Sequence, residues 1–62
     1  MHIVFFSTSD VFKAEEILNE ENIECKVVPT PVRDKAYCGV CIETTNEKAK
    51  DCMGSIEFEV LQ

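Results

Sequence analysis

Four of the 62 residues are cysteine, and Cys38 stands where a thiol could do chemistry. It stands next to last in the stretch Pro29-Thr30-Pro31-Val32-Arg33-Asp34-Lys35-Ala36-Tyr37-Cys38-Gly39. The two prolines fix local φ and remove two backbone donors, so the stretch reads as a stiff loop, neither helix nor central strand. Gly39 lets the backbone pass close to whatever the thiol touches. A thiolate is the attacking species in displacement and exchange, so a thiol delivered on a rigid, accessible loop is a candidate nucleophile. The same position also suits a small apolar filler, and the residues alone leave both readings open.

The remaining chemistry-bearing residues offer less. Cys38-Gly39-Val40-Cys41 is a C-x-x-C, which in a redox dithiol opens a helix. Here the residues run on into a strand. Positions i and i+3 of a strand face opposite sides, roughly 10 Å apart at about 3.3 Å per residue. A disulfide needs less than about 7 Å. Cys25 and Cys52 fall on core positions of separate elements. A structural zinc site would need two knuckles or a Cys/His set at matching spacing, so no metal is expected. His2, the single histidine, begins the first strand, at the far end of the sheet from Cys38, and cannot serve it as a base. There is no Ser/His/Asp set, carboxylate pair or Gly-rich phosphate loop, and no cofactor is expected.

The elements that must position Cys38 follow from periodicity. Met1 to Phe6 is apolar on both faces, as a central strand requires. Ser7-Thr8-Ser9-Asp10 offers N-caps, with Ser7 and Asp10 at capping-box spacing. Val11, Ala14, Ile17 and Leu18 then recur at helical spacing, and Asn22 suits a left-handed C-cap. Ile23, Cys25 and Val27 alternate as a second strand. Val40 and Ile42 alternate with Cys41 and Glu43 as a third. Thr44 with Glu47 forms a capping box for a short second helix carrying Ala49, Cys52 and Met53, stopped by Gly54. Ile56, Phe58 and Val60 alternate with Glu57 and Glu59 as the last strand.

The order βαββαβ, with right-handed crossovers, predicts an α+β, ferredoxin-like domain over residues 1–62. Its four-stranded antiparallel sheet has the order 4-1-3-2, with both helices on one face. The start of strand three then lies beside the end of strand one, where the first helix begins. Cys38 is thereby placed near Ser7, Thr8 and Ser9, with its sulfur toward the helix layer. A helix N-terminus favours negative charge, and Arg33 and Lys35 on the same loop add to it.

Twelve acidic and six basic residues give a net charge of −6. That disfavours nucleic-acid or anionic-membrane binding, which rests on neutralised phosphates. No run of about 18 apolar residues exists, and the apolar start lacks a basic leader, so a cytoplasmic location is expected. A chain this short buries only about 60% of its unfolded surface and has no room for a deep cavity. A surface site, a docking face or a dimer fits better.

Nearly the whole chain resembles the short bacterial domains of the Se/S carrier protein-like family. The resemblance is carried by Ile3-Val4-Phe5-Phe6-Ser7-Thr8, by Ala14-Glu15, and above all by Val28-Pro29-Thr30-Pro31 followed, after six intervening residues, by Cys38-Gly39. It implies a sulfur or selenium carrier with Cys38 as the persulfide or perselenide site. Gly39, Ser7, Thr8, Ser9, Pro29, Thr30, Pro31 and Arg33 support it. A cysteine desulfurase-like donor and an acceptor enzyme are the implied partners, and the chain is then an accessory protein rather than a stand-alone enzyme. The sequence departs from the family pattern at Val32, which displaces the arginine to Arg33, and at Ala36 and Tyr37, where serines are usual. The alternative is a non-catalytic interaction module in which Cys38 is structural.

Strand parity makes a further expectation. If Val40 and Ile42 face the helices, Cys41 and Glu43 face the open side, with His2, Val4 and Phe6 beside them. Val4, Phe6 and Cys41 then form an apolar patch inside a charged rim, suited to a homodimer or partner docking.

Overall fold

The computed structural model describes residues 1–61. Strand β1 spans His2–Phe5, and Ile3, Val4 and Phe5 are fully buried, as a central strand demands. Helix α1, Thr8–Glu20, starts where the sequence predicts. Ser7 is its N-cap in an extended conformation, and its hydroxyl accepts from the Asp10 N–H at 3.4 Å. Val11, Ala14 and Leu18 form the buried stripe. The helix ends on Asn22 at φ 59°. The Asn22 N–H donates to the Asn19 carbonyl and the Ile23 N–H to the Leu18 carbonyl, at 3.1 and 2.9 Å. Those two bonds, with Leu18 and Ile23 together in the core, make a Schellman stop.

Strands β2 (Lys26–Pro29), β3 (Val40–Glu43) and β4 (Phe58–Leu61) complete one four-stranded sheet. Its order is β2-β3-β1-β4, which is 4-1-3-2 counted from the other edge, and every neighbouring pair is antiparallel. Ile3 stands opposite Ile42 and Val60, and Val27 opposite Ile42. The core lies between this face and the helical segments, with Ile3, Phe5 and Ile42 against Val11, Ala14, Leu18, Ala49 and Met53.

Three expectations need correction. The second helix is a 3₁₀ helix, Glu47–Cys52, not an α-helix. The Thr44 hydroxyl is spent on the Glu24 carbonyl at 2.7 Å, so Asn46 caps instead, accepting from the Lys48 N–H at 2.9 Å. With Gly54 at φ 62° just beyond, too few residues remain for a regular α-helix. Second, β2 begins three residues later than the alternation from Ile23 implies. Ile23 is consumed by the helix stop, and the Glu24 carbonyl is tied to Thr44 rather than to the ladder.

The third concerns the open face. Val4 and Cys41 do lie opposite the helical core, but both are fully buried within the single chain. Only Phe6, 40% exposed, remains of the predicted apolar patch. Tyr37 reaches the edge of this face. Its ring packs against Phe6 at a 42° tilt, with centroids 5.6 Å apart, and its hydroxyl donates to the Glu59 carboxylate. Glu59 is the cross-strand partner of Val4, and Phe6 is two residues along the same face. The Tyr37 side chain therefore spans from Phe6 to Glu59, the cross-strand partner of Val4.

Candidate functional site

Cys38 is joined to β1 through its backbone. Its N–H donates to the Phe5 carbonyl at 2.8 Å, two residues before the Ser7 cap. The end of β1 thus links the cysteine to the start of α1, as the topology predicts. Thr30 holds the other side. Its hydroxyl donates to the Cys38 carbonyl at 2.8 Å, and its N–H donates to the Gly39 carbonyl at 3.0 Å. This gives the Pro29-Thr30-Pro31 sequence a physical meaning. Pro29, on edge strand β2, pairs with Val40, where a missing donor is tolerated. Thr30 then clamps Cys38-Gly39 from both its side chain and its backbone.

The sulfur of Cys38 is partly buried and packs against the helix-side core. Its thiol donates to the Val40 carbonyl at 2.9 Å. The other predicted supporting residues have mixed roles. Ser7 and Ser9 hydrogen-bond each other at 2.8 Å, so their hydroxyls serve the helix start. Thr8 and Ser9 are exposed in the first turn of α1. Pro31, Arg33 and Lys35 are exposed, and among the described residues neither cation forms an ion pair. Gly39 differs from expectation. A Cβ placed there would meet nothing within 4 Å, so no close approach of this chain requires glycine. Open space borders Gly39 itself, the residue after the thiol.

Asp34 shapes the loop before the cysteine. Its carboxylate accepts from the Ala36 N–H at 2.9 Å, and its carbonyl accepts from the Tyr37 N–H at 3.1 Å. Tyr37 and Glu59 are the residues that sequence reading missed. Strand alternation placed Glu59 on the open face, but nothing in the pattern announced that a loop tyrosine would reach it. The Glu59 carboxylate accepts a hydrogen bond from the phenol and holds the Tyr37 pKa above its ordinary value, with desolvation and the Glu59 and Asp34 charges adding to the shift.

The other thiols are less suited to exchange. Cys41 is buried on the opposite face from Cys38, and burial first of all pushes its pKa up. The Thr30 hydroxyl pulls it the other way, while Cys38 and Glu43 raise it further. Cys25 is raised by burial and then by the Glu15 charge. Both Cys25 and Cys52 pack against the core, as their positions predict. All four cysteines are free. Among the described residues no three His, Cys, Asp or Glu side chains gather as a metal site. His2 pairs with Glu43 at 3.2 Å, in the sheet row distant from Cys38. A groove of about 480 Å³ lies at that distant end, lined by Met1, Glu24, Cys25, Lys26, Glu43, Thr44 and Thr45, and does not include Cys38. No described helix is long and apolar enough to cross a membrane.

No curated protein and no solved structure matches the chain. The family model described as Putative Se/S carrier protein-like matches residues 1–61, all but the last residue, and with it Cys38, Thr30 and the strands that carry them: the chain belongs to that family.

Proposed function

We propose that this chain carries sulfur or selenium on Cys38. The observation that carries the reading is the clamp on that residue: Phe5 and Thr30 fix its backbone on both sides, while open space borders Gly39. A carrier needs a thiol held in place yet reachable, and thiol access and thiolate character control such exchange. In the loading step the Cys38 thiolate attacks the outer sulfur of a donor persulfide. A new S–S bond forms, the donor's S–S bond breaks, and the donor leaves as a thiolate. Transfer to an acceptor repeats the exchange in the other direction. No metal or general base is needed, and none is assigned. The selenium version replaces the outer sulfur by selenium.

The fold is read as ferredoxin-like, on the strength of its antiparallel order and of both helical segments sharing one face. The partners in this reading are a cysteine desulfurase-like donor and an acceptor enzyme. Phe6 at the end of β1, Phe12 in the second turn of α1 and Val32 in the proline loop are 40%, 54% and 42% exposed. The topology brings all three to the Cys38 end of the molecule, where apolar side chains suit protein docking. A cytoplasmic site of action belongs to the same reading.

One observation favours a second reading. The Cys38 thiol already has a partner in the Val40 carbonyl and touches the core, which suits a structural cysteine in an interaction module. Incubation with a cysteine desulfurase and cysteine separates the two. A carrier gains the mass of one sulfur atom on Cys38; a structural thiol does not.

A further inference from the structure

Every side chain from Pro31 to Ala36 is exposed, so the loop before Cys38 has no anchor of its own until Tyr37. There it is tied twice. The Tyr37 ring packs at a tilt against Phe6, and its hydroxyl donates to Glu59 on edge strand β4. Both partners lie on the open face of the sheet, opposite the helices. Tyr37 sits at a bend just before β3, and Cys38 is the next residue of the chain. Fixing Tyr37 on the open face fixes the chain immediately before Cys38, whose sulfur meets the core and the Val40 carbonyl on the helix side. The backbone bonds to Phe5 and Thr30 set where Cys38 stands, but they do not set which way its neighbour faces.

We infer that Tyr37 is the positioning residue for the Cys38 thiol, pinned across the open face of the sheet by the Glu59 carboxylate. This rests on the reading of Cys38 as the reactive group and names what orients it. Tyr37 touches neither the sulfur nor any reacting atom; it acts through the chain direction it imposes one residue later.

The composition gives a direct optical reporter. Tyr37 is the single tyrosine and there is no tryptophan, so the phenol titration in the near ultraviolet reads Tyr37 alone. The wild-type midpoint should lie above that of a free tyrosine, and Glu59→Gln should bring it down. Alkylation of Cys38 by iodoacetamide, followed by peptide mass mapping, reads the thiol. Tyr37→Phe keeps the ring on Phe6 and removes only the hydroxyl. It should speed Cys38 alkylation by about two- to tenfold, the range expected for the loss of one hydrogen bond. Glu59→Gln should act in the same direction, and the double variant should exceed neither single variant by more than the measurement error. Glu57→Gln, one residue before β4, should change nothing. An unshifted phenol midpoint in Glu59→Gln overturns the pin. Unchanged Cys38 alkylation in both single variants, or additive effects in the double, overturns the positioning role. Failure of wild-type Cys38 to accept sulfur would contradict the carrier reading instead, so the two failures are distinct.

Discussion

The Thr30 hydroxyl donates to the Cys38 carbonyl at 2.8 Å, and the Thr30 N–H donates to the next carbonyl, Gly39, at 3.0 Å. One residue between two prolines thus holds the backbone on both sides of the Cys38–Gly39 bond. Thr30→Val keeps the shape and the backbone bond but removes the hydroxyl. It should cost about 1 kcal/mol of stability, the usual net value of one such bond. It should also raise the rate of Cys38 alkylation while leaving Cys52 unchanged. Chemical denaturation and peptide mapping test both, and equal protection of Cys38 in the variant would contradict the clamp.

The thiols should separate by reactivity. Cys41 is fully buried and its pKa is raised, so it should be the slowest of the four to alkylate in the folded protein. Denaturant should abolish the difference. Cys38 faces the helix side and Cys41 the other, so mild oxidation should not join them. Loss of two hydrogen masses mapped to that pair would contradict the assignment of faces.

Stability should fall at alkaline pH. The folded-state pKa of Tyr37 lies above its usual value near 10, through the Glu59 hydrogen bond first, and that of Cys41 above its usual value near 9, through burial first. A group that holds its proton more tightly when folded contributes fully below its unfolded pKa. The contribution is lost as pH rises through the folded value. Urea midpoints should therefore be level near neutrality and decline from about pH 9 upward. A midpoint that rises over that range would contradict the sign.

Much of this was legible in the residues. The apolar run from Ile3 to Phe5 marked a central strand, and Ser7 and Asn22 marked the two ends of α1. The alternation of Val40 to Glu43 gave β3 at its observed bounds. Those elements sufficed to bring Cys38 beside the end of β1. What local pattern could not carry was competition between sites. Thr44 has the spacing of a helix cap, but the Glu24 carbonyl, distant in sequence, takes its hydroxyl. Val4 and Cys41 have the parity of an exposed face, yet both are fully buried, and a loop tyrosine reaches Glu59 on that face, 22 residues on. Both are long-range side-chain contacts, to which periodicity is blind.

The buried face itself can be probed. Val4→Ala should destabilise the domain by about 1–3 kcal/mol, because the methyl groups it removes are fully enclosed. Phe6→Glu, on the same face but exposed, should cost much less and should chiefly weaken the ring contact with Tyr37. Denaturation midpoints order the two. A larger loss for Phe6→Glu than for Val4→Ala would mean that the face is open and that Val4 is not covered.

The most direct test of the central claim is intact and peptide-level mass spectrometry after incubation with a cysteine desulfurase and cysteine. The carrier reading predicts a reducible gain of one sulfur atom on Cys38, absent in a folded Cys38→Ser variant and independent of Cys25, Cys41 and Cys52. No gain on the wild-type protein, or the same gain in Cys38→Ser, would contradict it.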